Sequence, residues 1–310
     1  MRWMMKDRKK LYFVYNPVAG KGRVRTALPG ILYVFGKAGF DVTCHPTFGA
    51  GEAEDMAKEY DPKRYKCLVV AGGDGTLDEV VRGLMKSFDG VLPTVGYIPV
   101  GTANDFAAGH KLPKNPIQAA RVIVSGKTDT FDLGMIGDSC FSYIAAFGNF
   151  IHLSYDTPQK MKNALGHAAY LLKGLPEFLT FYKMKPHHLR ITAPGGINYE
   201  GDYAAGMIAN AKSIAGFTGE LSRGVDLQDG LFEVTLIKPP KTVGDVAYMI
   251  NRLLIGNLNN RFFDYFVASE VTIDADSPME YSIDGEFGGR LSHVESRILQ
   301  RKMRLRVPRE

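Results

Sequence analysis

VVAGGDGTLDEVV, residues 69–81, joins an apolar run to a segment of helical spacing through three glycines and one aspartate. A strand-to-helix turn needs one glycine, at most two. The additional ones point to a backbone that passes close to a ligand. Gly72, Gly73 and Gly75 permit positive φ and let backbone N–H groups converge. A helix starting near Thr76 aims the positive end of its dipole at the same place. Phosphate is the ligand such a loop suits. Two other phosphate loops are excluded by position: a dinucleotide fingerprint needs glycine where Asp78 stands. A Walker A loop ending in Gly20–Lys21 needs glycine in place of Tyr15 and Ser or Thr in place of Gly22.

Around this turn, short apolar runs alternate with helix-like segments. LYFVYN (11–16), FDVTCHPT (40–47), KCLVVAG (66–72) and TVGYIPVG (94–101) read as strands, and 23–39, 51–60 and 78–88 as helices. This alternation predicts a parallel sheet covered on both faces, with ligands bound beyond the carboxyl ends of the strands. NPVAGKG (16–22) follows the first strand and GTANDF (101–106) the fourth, so three polar, glycine-bearing stretches fall at strand ends. After about Phe131 the texture changes. Residues 187–210, 229–238 and 270–286 are β-rich with turn signals between them, which predicts an antiparallel sandwich or open barrel. IDGEFGG (283–289) closes the last clear β segment. Helix-like insertions interrupt this part at 158–182 and 242–259. The expected organisation is an α/β domain over 1–133 and a β-rich domain over 134–299. The strand-like 300–310 is a candidate last strand of the first domain.

Composition sets the frame. With 310 residues and 45% hydrophobic content, two domains are expected. A net charge of +5 suits a mildly basic face and alone decides nothing about partners. Cys44, Cys67 and Cys140 are scattered and odd in number, and read as reduced core or near-core residues without a disulfide framework or metal site. The basic-then-apolar start has only Leu11–Tyr15 as its apolar stretch, too short for a secretory leader. No apolar run approaches the ~20 residues that span a bilayer. The expected setting is cytoplasmic, soluble or held peripherally at a membrane.

GGDGT preceded by NPVAGKG and followed by GTANDFA and a late DGE resembles the diacylglycerol kinase catalytic family, in particular its bacterial soluble lipid kinases. The motifs keep the family's order and spacing from about Lys10 to Pro308. The resemblance implies an α/β nucleotide-binding domain, a β-rich domain and an active site in the cleft between them. It implies ATP contacts at Asn16, Gly20, Thr47, Gly73, Asp74, Gly75, Thr76, Glu79 and Thr102. Asp74 and Asp105 correspond to acidic residues needed for activity through Mg²⁺, and Glu286 to the catalytic base. Asp229 would hold a structural Mg²⁺ together with backbone carbonyls at Asp226 and Leu231; an ordinary hairpin turn explains LQDGLFEV equally well.

The chemistry expected is transfer of phosphate from ATP to a lipid hydroxyl, that of diacylglycerol or a related lipid such as phosphatidylglycerol, as in phospholipid biosynthesis. Phosphoryl transfer asks chiefly for positioning and charge neutralisation, and an alcohol acceptor benefits from a carboxylate base. The sequence departs from the family at Asp78, where Asn is usual, and at Ala103, where Thr is frequent. Asp78 adds a negative charge near the phosphates. Residues 157–185 mix Leu, Phe, Tyr and Met with lysines at 160, 162, 173, 183 and 185, a composition suited to an anionic lipid surface as well as to ordinary packing. Residues 252–266 raise the same question, with core packing the better reading. Expected partners are ATP, a lipid alcohol, an anionic membrane and a second copy of the chain; nucleic acid is not expected. Two rivals stand. An NAD kinase-like enzyme shares the GGDG-type loop but would carry a GSTA-type stretch in its β domain. A catalytically silent, membrane-recruited nucleotide-binding module would have lost Asp74, Asp105 or Glu286.

Overall fold

The computed structural model describes residues 8–102, 104–148, 181–211, 225–254 and 257–309. The chain divides into two compact units, Met1–Phe131 with Arg301–Glu310, and Asp132–Gln300.

In the first unit β1 (Lys9–Tyr15), β2 (Phe40–Pro46), β3 (Cys67–Gly72) and β4 (Thr94–Pro99) form a parallel sheet in the order β2–β1–β3–β4. Every residue of β3 is buried, as a central parallel strand with both faces covered requires. The helices between strands are α1 (Ala19–Lys37), α2 (Glu52–Lys58) and α3 (Asp74–Ser87). After β4 come α4 (Asp105–Gly109) and α5 (Pro116–Ser125). On one face Leu11, Phe13, Val69, Ala71 and Ile98 meet Ile31 and Phe35 of α1 and Ala119, Ala120 and Ile123 of α5. α2 and α3 pack closely on each other through Gly83, where a Cβ would meet the Cβ of Ala57 at 2.8 Å and collide with the Glu54 carbonyl.

The α5 start is dictated locally: Asn115 Oδ1 accepts from the amides of Ile117 and Gln118, and Pro116 occupies the first turn. Cys67 is buried as expected, but Cys44 is exposed. Its strand, β2, is bonded on one side only, to β1, and its residues are at best half-buried.

The second unit is antiparallel. β5 (Lys127–Ile136) enters it and pairs with β6 (Ser139–Phe141). β7 (Ile144–Gly148) follows, then the hairpin of β8 (His187–Ala193) and β9 (Ile197–Tyr203), then β10 (Ala205–Ala209) and β11 (Phe232–Ile237). α6 (Val243–Leu254) precedes β12 (Phe263–Ala268), β13 (Glu270–Ile283) and β14 (Glu286–Val307). β12, β11, β10, β7 and β13 are neighbours in that order. A register shift between Asp274 and Met279 bends β13. Its first half pairs with β8 and its last residues with β7, so one strand serves two sheets at a corner. Phe141, Phe147, Phe232, Ile273 and Tyr281 fill the core between them. Phe262, Phe263 and Phe266 are buried, which places these three rings of 252–266 in packing, while Tyr265 between them is exposed. The expected insertion at 158–182 and most of the basic stretch 157–185 lie outside the described residues.

The far end of β14 belongs to the first unit. Arg304 and Leu305 pair in parallel with Thr94 and Val95 of β4. Lys302 Nζ donates to the carbonyls of Phe88 (3.3 Å) and Asp89 (2.5 Å) at the close of α3, and Arg306 Nε to that of Ile123 (2.8 Å). Cations there complete unsatisfied helix carbonyls and suit the dipole. The fold class is the one expected: a parallel α/β unit followed by an antiparallel β-rich unit.

Candidate active site

The loops after β1, β3 and β4 lie side by side in the first unit. Gly20, Lys21 and Gly22 follow one another in the left-handed region, with φ of 56°, 62° and 78°. The backbone of Gly20 lies so close to the Val100 carbonyl that a side chain there would collide with it. Gly73 and Gly101 are in similar contact: a Cβ on Gly101 would sit 2.5 Å from Gly73 Cα. Val100 N donates to Gly72 O at 2.9 Å, and Asn16 N to Ala71 O at 2.9 Å. Glycine at these positions is therefore a steric demand of loops that touch.

α3 begins at Asp74, earlier than periodicity suggested, because the apolar pattern on which periodicity rests starts only at Leu77. Its N-cap, Gly73, contributes no side-chain cap. The first-turn amides at Asp74, Gly75 and Thr76 of this fourteen-residue helix thus receive no cap from the N-cap residue itself. Asp74 Oδ2 accepts a hydrogen bond from the Asp105 amide at 3.2 Å, which brings two of the expected acidic residues together. Asn104, to which the motif reading gave no role, makes this possible. It is buried and left-handed at φ 56°, and its Nδ2 donates to Gly101 O at 2.8 Å, turning the chain into α4. The signal available in sequence was Asn itself, the residue besides Gly that most readily adopts this conformation.

The other expected nucleotide contacts divide by what their side chains do. Asn16 Oδ1 accepts from Val18 and Ala19 N (3.0 and 3.2 Å) and so shapes the NPVAGKG loop. Thr47 is buried, and its amide donates to Tyr15 O. Glu79 Oε2 accepts from Ala53 N at 3.2 Å in the first turn of α2. Thr76 packs against Gly72, which has no room for a Cβ. Thr102 is exposed beside this cluster in sequence. Asp78, expected to add charge near phosphate, is instead buried in an ion pair with Arg82 one helical turn on, so its charge is compensated. Arg82 also meets Glu54, which is joined by Lys58 and Lys86. Burial works against ionisation of Glu54, but hydrogen bonds from Lys86, Lys58 and Arg82 outweigh it and hold its carboxyl at about 2.

The DGE turn lies in the second unit. Asp284, left-handed at φ 48° and fully enclosed, accepts four hydrogen bonds. Ser142 N (2.6 Å) and Ser142 Oγ (2.8 Å) reach Oδ2, and Tyr143 N (3.1 Å) and Ile144 N (3.0 Å) reach Oδ1. Burial raises its pKa, and the four donors pull the other way. Tyr143 Oη donates to the Asp284 carbonyl at 3.1 Å. This fixes the turn from which Glu286, exposed and opposite Ile283 in register, opens β14.

Hard oxygen donors are what a divalent magnesium ion takes. Asp74 and Asp105 fit that demand as two carboxylate residues joined by the hydrogen bond from the Asp105 amide to Asp74 Oδ2. At the Asp229 turn, Oδ1 accepts from Leu231 N (3.0 Å) and Asp226 Oδ1 from Gln228 N (3.1 Å), while Gly230 N donates to Asp132 Oδ2 at 2.8 Å. An exposed Asp229 with main-chain carbonyls fits a cation only if main chain and water supply most ligands. No cluster of three or more His, Cys, Asp or Glu side chains forms a metal site among the described residues.

Two family models match the chain. The family model of the diacylglycerol kinase catalytic domain matches residues 10–136, and that of the YegS C-terminal NAD kinase beta sandwich-like domain matches 154–305. The diacylglycerol kinase of Bacillus subtilis is 32% identical over 284 residues, 91% of each chain. Two solved chains from Bacillus anthracis superpose with TM-scores of 0.81 and 0.74 at 23% and 22% identity, each match covering 97% of this chain and 98% of the other. An NAD kinase from Archaeoglobus fulgidus in complex with ATP shares the fold at a TM-score of 0.50 and 11% identity, over 96% of this chain and 93% of its own. Among the described residues no helix is long and apolar enough to cross a membrane.

Proposed function

We propose that this chain, which belongs to the diacylglycerol kinase family, is an ATP-dependent lipid kinase. It transfers the γ-phosphate of ATP to the hydroxyl of a lipid alcohol, diacylglycerol or a relative such as phosphatidylglycerol. Family membership supports a nucleotide-binding kinase; the lipid acceptor is our reading. The observation that carries it is the β3–α3 junction. There Gly73, pressed against Gly101, leads straight into a helix start without a side-chain cap, and Asp74 meets the Asp105 amide.

In this reading residues 1–133 with 300–310 form the ATP-binding domain, and 134–299 the lipid-substrate domain. Amides at Gly73, Gly75 and Thr76, with Asn16, Gly20, Thr47, Glu79 and Thr102, hold and orient the nucleotide. A magnesium ion, when bound, neutralises phosphate charge; Asp74 and Asp105 would hold it, and Asp226, Asp229 and Leu231 would hold a structural one. Glu286 takes the proton of the acceptor hydroxyl as its oxygen bonds to the γ-phosphorus and the bond to the ADP oxygen breaks. The net event moves one phosphoryl group and releases ADP. The enzyme works at the cytoplasmic membrane surface, with the basic stretch 157–185 as its lipid contact, and two copies pair.

The test is transfer of labelled γ-phosphate from ATP to a panel of diacylglycerol, phosphatidylglycerol, sphingoid base and NAD. Label in a glycerolipid is expected. Label in NAD alone would replace the lipid reading with an NAD kinase-like one. Nucleotide binding without transfer to any acceptor would leave a silent binding module.

A further inference from the structure

The DGE turn is a two-residue hairpin loop. Asp284 (φ 48°) and Gly285 (φ 87°) are both left-handed, and Ile283 and Glu286 on either side of them are register partners. Positive φ at both central residues marks a type I′ turn, which Asp-Gly favours. Close by, the β13–β14 pairing slips. Tyr281 faces Gly289 but Ser282 faces Phe287, so Gly288 is left over as a bulge. Two residue pairs, Ser282–Phe287 and Ile283–Glu286, stand between that bulge and the turn.

The segment joining β6 to β7 holds what the interrupted ladder leaves loose. Ser142, Tyr143 and Ile144 supply the four donors to the Asp284 carboxylate, and Ile144 O accepts from Asp284 N at 2.9 Å. Three of those donors are main-chain amides, which any sequence would offer. The half-buried Tyr143 side chain adds a contact they do not make. Its hydroxyl donates to the Asp284 carbonyl at 3.1 Å, and a Cβ on Gly285 would lie 3.7 Å from the same hydroxyl oxygen. That carbonyl belongs to the peptide between Asp284 and Gly285, the centre of the turn. Gly285 accepts either sign of φ, so this peptide is the part that the backbone alone leaves softest. Tyr143 is itself anchored, since Asn210 N donates to its carbonyl at 2.9 Å.

We propose that Tyr143 is a positioning residue for Glu286. Its hydroxyl holds the Asp284–Gly285 peptide in one orientation and so sets where the carboxylate of the next residue stands. The inference rests on the lipid-kinase reading with Glu286 as base, and deepens it. A base displaced by 1 Å can cost about 10²-fold in rate, so one hydrogen bond on this peptide matters more to turnover than to stability. Tyr143 takes no part in bond making.

The experiment compares wild type with Tyr143→Phe, which removes only the hydroxyl, and repeats the change in a Glu286→Gln background. Backbone hydrogen exchange at residues 283–287 reads the turn without any need for activity. It should run about 2- to 12-fold faster in Tyr143→Phe, as expected for one lost hydrogen bond. With diacylglycerol as acceptor, kcat should fall about 10- to 100-fold while the KM for ATP stays put. The melting temperature should drop by no more than about 2–4 °C. In the Glu286→Gln background the same change should lower kcat by less than about 2-fold, because the group it positions is gone. An equal fall in both backgrounds overturns the proposal, since Tyr143 would then act other than through Glu286. The two readings fail separately. No transfer by wild type to any acceptor, with exchange faster in Tyr143→Phe, would sink the kinase reading and leave the hydroxyl's hold on the turn standing. Transfer by wild type with either exchange or kcat unmoved by the substitution would do the reverse.

Discussion

Two acid–glycine turns, Asp74–Gly75 and Asp284–Gly285, look alike on paper and serve different ends. Asp74 stands in the first turn of α3, half-buried, with one carboxylate oxygen on the Asp105 amide. Asp284 is enclosed and gathers four donors from residues 142–144. The first stands at a helix start, where the proposed mechanism places the metal-bound phosphate. The second is committed to holding a turn, and in the proposed mechanism the chemistry falls to its neighbour Glu286. An aspartate beside glycine can thus open a helix or, enclosed, hold a turn.

Substitutions can break this contrast. Glu286→Gln should lower turnover by about 10²–10⁴-fold with ATP affinity nearly intact, as steady-state kinetics and nucleotide titration would reveal. Asp74→Asn should also cost about 10² or more in turnover, yet hardly move the melting temperature, because an amide oxygen can still accept from Asp105. Asp284→Asn should behave oppositely. Denaturant unfolding should show a loss of about 2–4 kcal/mol as an NH₂ group is forced against donors, with activity falling only as the turn loosens. Equal stability losses at Asp74 and Asp284 would erase the distinction.

Smaller effects sharpen it. Gly20→Ala should cost about 1–3 kcal/mol, since alanine meets both a positive φ and the Val100 carbonyl. Glu54, 15% exposed among three cations, calibrates a carboxylate whose role is structural. Its folded pKa is depressed to about 2 from an ordinary 4.5, so its contribution is present above pH 4.5 and is lost as pH falls toward 2. Glu54→Gln should therefore destabilise by about 1–2 kcal/mol at pH 7, with the gap to wild type narrowing below pH 4.5 in thermal melts. Asp78→Asn should leave the magnesium concentration for half-maximal activity unchanged, because Arg82 already compensates that charge.

Much of the architecture could be read from local signals. Apolar runs, helical spacing and glycine-rich strand ends placed the parallel strands and the three intervening helices, since each depends on neighbours within a turn or two. The adjacency of Asp74 and Asp105 was implied by motif order rather than visible in spacing. What stayed hidden depends on residues distant in sequence. Nothing near Asp284 announces that its donors come from Ser142, Tyr143 and Ile144. Cys44 was read as near-core because its neighbours are apolar; only the position of β2 at the sheet edge explains its exposure. The compensation of Asp78 was legible in principle, as Arg82 follows at the i+4 spacing of a helix.

The length of β14 has a consequence for how the protein is made. Arg304 and Leu305, near its end, line the side of β4 that β3 does not occupy. The stretch also supplies Lys302 and Arg306 to carbonyls at the ends of α3 and α5. On the ribosome, the strands of the first unit emerge before the second unit yet must wait, one strand short, until the latter has been translated. Its exposed flank is open to wrong partners throughout that interval, and a nascent chain halted at residue 300 should be caught by chaperones where the finished one is not.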